Sequence, residues 1–317
     1  MSISVIVLAA GKGTRMKSEL PKVLHHVLGK TLLSHVFDAF SSIDNKFVVV
    51  GHESDLVINS IPSSIKNVIQ KDQLGTGHAV SIAINSEVFN EIKSEFTLVV
   101  PGDVPAINED DIDSLIDEVK TKASPVGFLT AFVDNPFGYG RIVKNNQEIK
   151  IVEEKDCSEE EKAINEINSG IYCFRTEFLV ENIDNLNTEN AQGEFYLTDL
   201  IGIANNQKQD IVIVQVDEDS IKGINSMSQL NEVEDIMQKK LIEGFMEQGV
   251  YFQDPTSTYI DADVTISTGT KVLANTHLTG KTIIDENCTI GPNAQINDSS
   301  IGKNSKVVNS VVDQSTI

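Results

Sequence analysis

Short apolar runs alternate with helical patterns over the first hundred residues. The runs at 3–8, 47–50, 68–70 and 96–100 are rich in β-branched residues, as strands buried on both faces should be. Between them, apolar residues recur at three- and four-residue steps, which is typical of helices; the first such set is Leu32, Leu33, Val36, Phe37 and Phe40. Strands that alternate with helices predict a Rossmann-like, mostly parallel sheet with right-handed crossovers.

The middle of the chain is less regular and ends in one long helical pattern. Strand-like runs lie at 128–133, 149–152, 170–174 and 211–216. From 226 to 248 the apolar residues again follow helical spacing, at Leu230, Val233, Met237, Leu241 and Phe245. We interpret this stretch as a connecting helix.

The last stretch has a different period, with apolar residues six positions apart. These residues are Ile260, Ile266, Val272, Leu278, Ile284, Ile290 and Ile296. A hexapeptide period indicates a parallel β-helix, in which each repeat forms one face of a triangular coil. The repeats stop at Ile317 without an evident polar cap, so we expect a truncated protein or a shortened gene.

Charge and cysteine content narrow the class of function. The 317 residues carry a formal net charge of −22, which argues against binding nucleic acid. Three widely spaced cysteines without metal spacing indicate reduced thiols in a cytoplasm. There is neither a signal peptide nor an apolar run long enough for a membrane helix.

A glycine-rich, cationic loop follows the first strand. Gly11 and Gly13 can expose backbone N–H groups to an anion, and Lys12, Arg15 and Lys22 add positive charge. A third glycine for a dinucleotide fingerprint is missing, as is the Gly-Lys-Ser/Thr of a Walker loop. The loop therefore predicts a phosphate site of another kind, suited to a small anionic substrate.

Two further stretches should reach the same site. Gly75 and Thr76 open a helix, and Asp103 follows the strand at 96–100. Ligands of such sheets bind beyond the carboxyl ends of the strands. We therefore expect the loop at Gly11, the turn at Gly75 and Asp103 to converge.

The loop closely resembles the signature of sugar-phosphate nucleotidyltransferases. The matching residues are Leu8, Ala9, Ala10, Gly11, Gly13, Thr14, Arg15 and Met16, followed by Pro21 and Lys22. The stretches at 70–79, 138–142, 166–170 and 190–194 are similar to the bifunctional enzymes that make UDP-N-acetylglucosamine. This likeness covers essentially the whole chain.

The resemblance implies a three-part chain. Residues 1–225 would form the uridylyltransferase domain, 226–249 the connecting helix and 250–317 a short left-handed β-helix. The implied reaction transfers UMP from UTP to N-acetylglucosamine 1-phosphate and releases pyrophosphate. The acetyl-transfer residues of the family lie in later coils, so we expect no acetyltransferase activity.

Roles for individual residues come from the same resemblance. Arg15 and Lys22 would be catalytic by neutralising the triphosphate, with Leu8, Ala9, Ala10, Gly11 and Gly13 in contact with the substrate. Asp103 and Asn225 match the ligands of Mg²⁺, which needs few protein ligands, and Asn225 would also touch substrate. Gln70, Gly75 and Thr76 match the uracil-binding positions, and Gly140, Glu153 and Asn168 match the sugar-binding positions.

Several points stay open at this level. Glu154 could take the place of Glu153, and Pro101 stands where the family commonly has tyrosine. The histidines show no catalytic or metal-binding arrangement, so we interpret them as structural. The rival hypotheses are another sugar 1-phosphate or nucleotide, acyl transfer through the β-helix, or a silent nucleotide-binding protein. Relatives of this family form trimers through the β-helix, which a short helix would weaken.

Overall fold

A computed structural model describes residues 2–92, 94–145 and 148–317. The chain divides into two compact units. The first comprises the residues up to His25 together with Leu32–Ser226. The second comprises His26–Thr31 and Met227–Ile317.

The helices and strands follow the predicted segments closely. Among the described residues, no helix is at once long enough and apolar enough to cross a membrane. The α-helices are α1 (Leu32–Asp38), α2 (Ser54–Ser60), α3 (Thr76–Ile84), α4 (Glu87–Asn90), α5 (Glu109–Thr121), α6 (Glu159–Lys162), α7 (Thr176–Asn182), α8 (Asp199–Asn206) and α9 (Met227–Glu247). The strands are β1 (Ile3–Ala9), β2 (His26–Val27), β3 (Lys30–Thr31), β4 (Asn45–Val50), β5 (Lys66–Ile69), β6 (Phe96–Pro101), β7 (Val126–Phe132), β8 (Gly140–Asn145), β9 (Glu148–Val152), β10 (Glu166–Arg175), β11 (Ile211–Gln215), β12 (Tyr251–Phe252), β13 (Thr258–Ile260), β14 (Thr265–Ile266), β15 (Lys271–Val272), β16 (Thr276–Thr279), β17 (Ile283–Ile284), β18 (Thr289–Ile290), β19 (Gln295–Asn297), β20 (Ser300–Ile301), β21 (Lys306–Val307) and β22 (Val311–Asp313).

One large sheet forms the centre of the first unit. Its strand order is β11-β7-β10-β6-β1-β4-β5, and the β8–β9 hairpin joins it beside β10. The pairs β6–β1, β1–β4, β4–β5 and β7–β11 are parallel, while β10 runs antiparallel to both of its neighbours β6 and β7. The predicted mostly parallel α/β sheet is confirmed.

Helices cover both faces of this sheet, because its strands are apolar on both faces. In β1, Val5 and Val7 pack into a layer that includes α1 and α5, whereas Ile6 packs into a layer that includes α3 and α8. All three side chains are completely buried. The alternation follows from the two-residue period of a strand, which turns successive side chains to opposite faces.

The second unit contains the β-helix that the six-residue period predicts. Three parallel sheets form its faces, in the orders β12-β15-β18-β21, β13-β16-β19-β22 and β14-β17-β20. Equivalent strands pair one coil apart, as Tyr259 does with His277 and His277 with Gln295. The interior holds the predicted apolar residues, all of them buried: Ile260, Ile266, Val272, Leu278, Ile284, Ile290 and Ile296.

An asparagine ladder stabilises one corner of the coils. Asn275, Asn293 and Asn309 all have positive φ, a conformation that asparagine tolerates better than most residues. Asn275 Nδ2 donates to Asn293 Oδ1 over 3.1 Å, and Asn293 Nδ2 donates to Asn309 Oδ1 over 2.9 Å. The repeat therefore places the same turn residue at the same corner in successive coils.

Packing of α5 against the sheet generates a test at Gly127. A Cβ added there would clash with Val119 Cγ2 and would lie 3.0 Å from the Cβ of Val212. We expect Gly127→Ala to lower the free energy of unfolding by about 1–3 kcal/mol, because overpacking forces the core apart. Urea unfolding followed by circular dichroism measures the change.

The matched control is Gly202→Ala, on the exposed surface of α8. No atom lies within 4 Å of a Cβ added there, so the alanine should raise helix stability by up to about 1 kcal/mol. An equal loss in both variants would contradict the packing argument.

Candidate active site

A cleft of about 590 Å³ lies in the first unit, where several strands end or begin. Ala9 ends β1, Gln70 follows β5, Gly140 begins β8 and Glu153 follows β9. Twelve residues predicted for the site line this cleft: Leu8, Ala9, Ala10, Gly11, Lys22, Gln70, Gly75, Thr76, Asp103, Gly140, Glu153 and Asn168. Side chains far apart in the sequence thus share one cavity because the sheet aligns their strands.

The glycine-rich loop folds back over Lys22. Gly13 has φ 59°, and a Cβ added to it would lie only 2.7 Å from Lys22 Cβ. Only glycine satisfies both the positive φ and the close approach. Met16, buried in the short helical turn Thr14–Met16, anchors the loop, and its N–H donates to Gly13 O over 2.9 Å. The exposed Gly11 is left at the cleft surface.

Lys22 lies at the centre of a polar cluster at this end. Its ammonium group forms an ion pair with the Asp103 carboxylate and donates to Asn225 Oδ1 over 3.0 Å. Arg15 donates to the same Asn225 oxygen over 2.8 Å. Arg15 and Asn225 are not among the residues that line the cleft, but these contacts join them to Lys22, which does line it.

Asp103 and Asn225 could hold a divalent cation. Their side-chain oxygens converge on one cationic nitrogen, Lys22 Nζ, which shows that both can contact a single cation. Carboxylate and amide oxygens are suitable ligands for Mg²⁺. No cluster of three or more histidine, cysteine, aspartate or glutamate side chains suited to a metal occurs in the described ranges. The donor set therefore fits a hard cation with few protein ligands.

Gln70 lines the cleft beside the start of α3. Its side chain is 3% exposed, and its Nε2 donates to Gly75 O over 3.1 Å. Gly75 has φ 109° and ψ 177°, a conformation restricted to glycine. The Thr76 hydroxyl accepts from the Leu197 N–H over 3.1 Å, so it serves the fold as well as lining the cleft.

Glu153 and Asn168 face each other across the third part of the cleft. Glu153 Oε1 accepts from the Thr198 hydroxyl over 3.3 Å. Asn168 Nδ2 donates to the Tyr172 hydroxyl over 2.7 Å, and Asn168 Oδ1 accepts from the Gly170 N–H over 3.2 Å. Gly140 lies between them: a Cβ added to it would lie 3.5 Å from Asn168 Cβ and 3.6 Å from Glu153 Oε2.

The neighbouring carboxylates Glu153 and Glu154 have different surroundings. Burial raises the pKa of Glu153; the Thr198 hydroxyl counteracts the rise, and nearby acidic residues add to it. Burial also acts on Glu154, but hydrogen bonds from the Gly138 N–H and Arg141 lower its pKa overall. Arg141 Nη2 lies 2.7 Å from Glu154 Oε2. Glu153 is the glutamate that lines the cleft, while Glu154 is held by a buried arginine.

The cleft also contains residues that the sequence reasoning did not select. Tyr172 and Leu197 line it, and so does Pro101, which packs against Gly170. The Tyr172 hydroxyl is buried, which raises its pKa. Tyr172 lies four residues after Asn168 in β10, and the two-residue period of the strand could have indicated it.

Comparisons with known proteins agree with this geometry. The model of the MobA-like NTP transferase domain matches residues 5–141. The bifunctional protein GlmU of Fervidobacterium nodosum is 43% identical over 315 residues, which is 99% of this chain and 68% of that protein. GlmU of Clostridium acetobutylicum is 44% identical, over 98% of this chain and 69% of its own length. GlmU of Streptococcus thermophilus is 43% identical, over 100% and 69% respectively.

The fold also resembles that of a solved structure. A Bacillus anthracis protein assigned as a glucose-1-phosphate thymidylyltransferase superposes with a TM-score of 0.60 at 19% identity. The superposition covers 74% of this chain and 95% of that one. At this identity the likeness concerns the fold alone. The identity to the curated relatives, by contrast, extends over nearly the whole chain, and this chain therefore belongs to the GlmU family and is a UDP-N-acetylglucosamine pyrophosphorylase, a sugar-phosphate nucleotidyltransferase.

Proposed function

We propose that the cleft binds UTP and N-acetylglucosamine 1-phosphate together and joins them by direct displacement. A phosphate oxygen of the sugar phosphate would attack the α-phosphorus of UTP, and the bond to the bridging oxygen would break to release pyrophosphate. The observation that carries the proposal is that Lys22, Gln70 and Glu153, from three separate stretches, line one cavity. Positioning and charge stabilisation supply most of the rate in such reactions.

At the phosphate end, the protein would act through charge and backbone N–H groups. Lys22 and Arg15 would neutralise the triphosphate and the charge that develops on pyrophosphate. Arginine suits a forked contact to phosphate, while lysine acts as a point charge. Gly11 and Gly13 would let the backbone approach the phosphates, with Leu8, Ala9 and Ala10 forming the floor beneath the nucleotide.

Asp103 and Asn225 would hold the divalent metal of the family, which we propose to be Mg²⁺. The metal would supply positive charge to the phosphate oxygens when bound. Without substrate, the Lys22 ammonium neutralises Asp103. The Asp103 carboxylate would thus keep Lys22 in place and also provide a metal ligand.

Uracil and the sugar would occupy the other two parts of the cleft. Gln70, Gly75 and Thr76 would contact the base edge, since a side-chain amide offers both a donor and an acceptor. Glu153 would accept hydrogen bonds from sugar hydroxyls, and Asn168 and the backbone of Gly140 would complete the sugar site. The partly buried position of Glu153 in the cleft and the arginine partner of Glu154 support this choice between the two glutamates.

We propose a structural role for the second unit. Residues 1–225 would be the catalytic domain, 226–249 a linker helix and 250–317 a β-helix. A homotrimer through the β-helix would follow from the family. Cys157, Cys173 and Cys288 are free thiols, which supports a cytoplasmic location.

Pyrophosphate release from UTP and N-acetylglucosamine 1-phosphate, with and without Mg²⁺, tests the reaction. We expect Asp103→Ala to lower kcat about 10²–10³-fold, because a metal ligand and the partner of Lys22 are lost together. Asp110→Ala, on the exposed face of α5, is the matched control and should leave kcat unchanged. Metal-independent release would exclude the proposed metal site. Release with another sugar phosphate, but none with this one, would support the rival substrate.

The pH dependence of sugar binding tests Glu153. Because its pKa is raised, the carboxylate should take up a proton at a higher pH than a surface glutamate does. The protonated group has one acceptor fewer for sugar hydroxyls, so KM for the sugar phosphate should rise as pH falls through that pKa. We expect Glu153→Gln to raise this KM about tenfold at neutral pH and to remove the rise.

The control for this experiment is Glu160→Gln, an exposed residue on α6. It should retain the pH profile of the unaltered enzyme. If KM for the sugar phosphate still rises at low pH in Glu153→Gln, a group other than Glu153 takes up the proton.

A further inference from the structure

His78 contacts the residue that we propose to bind the base. It lies on α3, two residues after Thr76, and its Nδ1 is 3.1 Å from Gln70 Nε2. The same amide nitrogen donates to Gly75 O over 3.1 Å. One side-chain nitrogen, almost fully buried, therefore contacts two groups of the helix start.

The chemistry of these groups decides which of them donate. An amide nitrogen has two hydrogens and cannot accept, and a backbone carbonyl can only accept. His78 Nδ1 must then accept as well, which places the imidazole in the neutral form with its hydrogen on Nε2. Both hydrogens of the Gln70 amide are used in this way. The two hydrogen bonds that the described residues make with the Gln70 amide both use Nε2, and Gln70 lines the cleft.

We propose that His78 is a positioning residue that fixes the orientation of the Gln70 amide, and thereby selects uracil over cytosine. The inference rests on the proposed function and adds to it a residue that does not line the cleft itself. With both hydrogens of Nε2 used, Oε1 is the acceptor that the Gln70 amide has left to offer. Uracil has a ring N–H at position 3 that can donate to it, whereas cytosine has an unprotonated acceptor nitrogen there.

A flipped Gln70 amide would lose its hydrogen bond to the Gly75 carbonyl. Its Oε1 would then face Gly75 O, which is repulsive, and His78 would keep a hydrogen bond only by moving its hydrogen from Nε2 to Nδ1. Gly75 O also accepts from the Ala79 N–H over 3.2 Å, so it is shared between that N–H and the Gln70 amide. Gly75 O therefore sets the direction of the preference, and His78 with its hydrogen on Nε2 adds to it.

The test compares two substitutions in the full chain. Asparagine can place its Oδ1 close to the position of the imidazole Nδ1, while leucine has similar bulk and no acceptor. We expect His78→Leu to raise KM for UTP about tenfold and to reduce the preference for UTP over CTP about tenfold. KM for N-acetylglucosamine 1-phosphate should stay unchanged, because Glu153 and Asn168 lie in another part of the cleft. His78→Asn should remain within about twofold of the unaltered enzyme.

The outcomes separate this inference from the proposed function. If the unaltered enzyme forms no pyrophosphate from UTP, the proposed function fails and this inference with it. If that enzyme prefers UTP and His78→Leu keeps the same preference, only the role of His78 is wrong. Equal losses in His78→Leu and His78→Asn would indicate packing against Phe195, whose ring centroid lies 6.3 Å away, and would also overturn it.

An NMR measurement on the unaltered enzyme tests the proposal even if the His78→Leu variant does not fold. In the enzyme labelled with ¹⁵N-histidine, the His78 Nδ1 resonance, assigned by its absence from His78→Asn, should have the shift of an unprotonated, accepting nitrogen. A protonated Nδ1 would overturn the proposal, because two donors would then face each other.

Discussion

The ion pair of Lys22 with Asp103 is the constraint on which the reactive end of the cleft depends. The two side chains are 81 positions apart in the sequence, and Asn225 joins them from more than a hundred residues further on. A carboxylate beside a phosphate site would repel its ligand unless a cation neutralised it. The Lys22 ammonium provides that neutralisation, and Gly13, which has no side chain, lets its loop lie close to the Lys22 Cβ.

In the part of the cleft proposed to bind the base, polar groups are also paired within the protein, but by hydrogen bonds between neutral groups. Gln70 is buried among acceptors, so its amide hydrogens are used within the protein and its oxygen remains for a ligand. Hydrogen bonds of this kind contribute modestly to stability, but an unpaired or reversed buried group is costly. In our proposal, selectivity for a base depends on a histidine that is not among the residues lining the cleft.

Neighbouring residues of one type take different roles when the fold gives them different partners. Glu153 follows β9 into the cleft, where burial raises its pKa, whereas Glu154 pairs with the buried Arg141. Pro101 lines the cleft wall against Gly170, and its side chain has no hydrogen-bonding group. A contact from position 101 would have to come from its backbone.

Local and periodic features of the chain were predictable from the sequence alone. The β-branched runs, the helical spacing and the six-residue repeat each reflect a period of the backbone, so they predicted the α/β sheet and the β-helix. The glycines and cations at 11–22 indicated a phosphate site for the same local reason. Only the tertiary structure decided which distant side chains meet: Asp103 and Asn225 at Lys22 Nζ, Glu154 at Arg141 while Glu153 lines the cleft, and His78 at Gln70. These depend on strand order and on burial, which bring residues together across the sheet and carry no local signature in the chain.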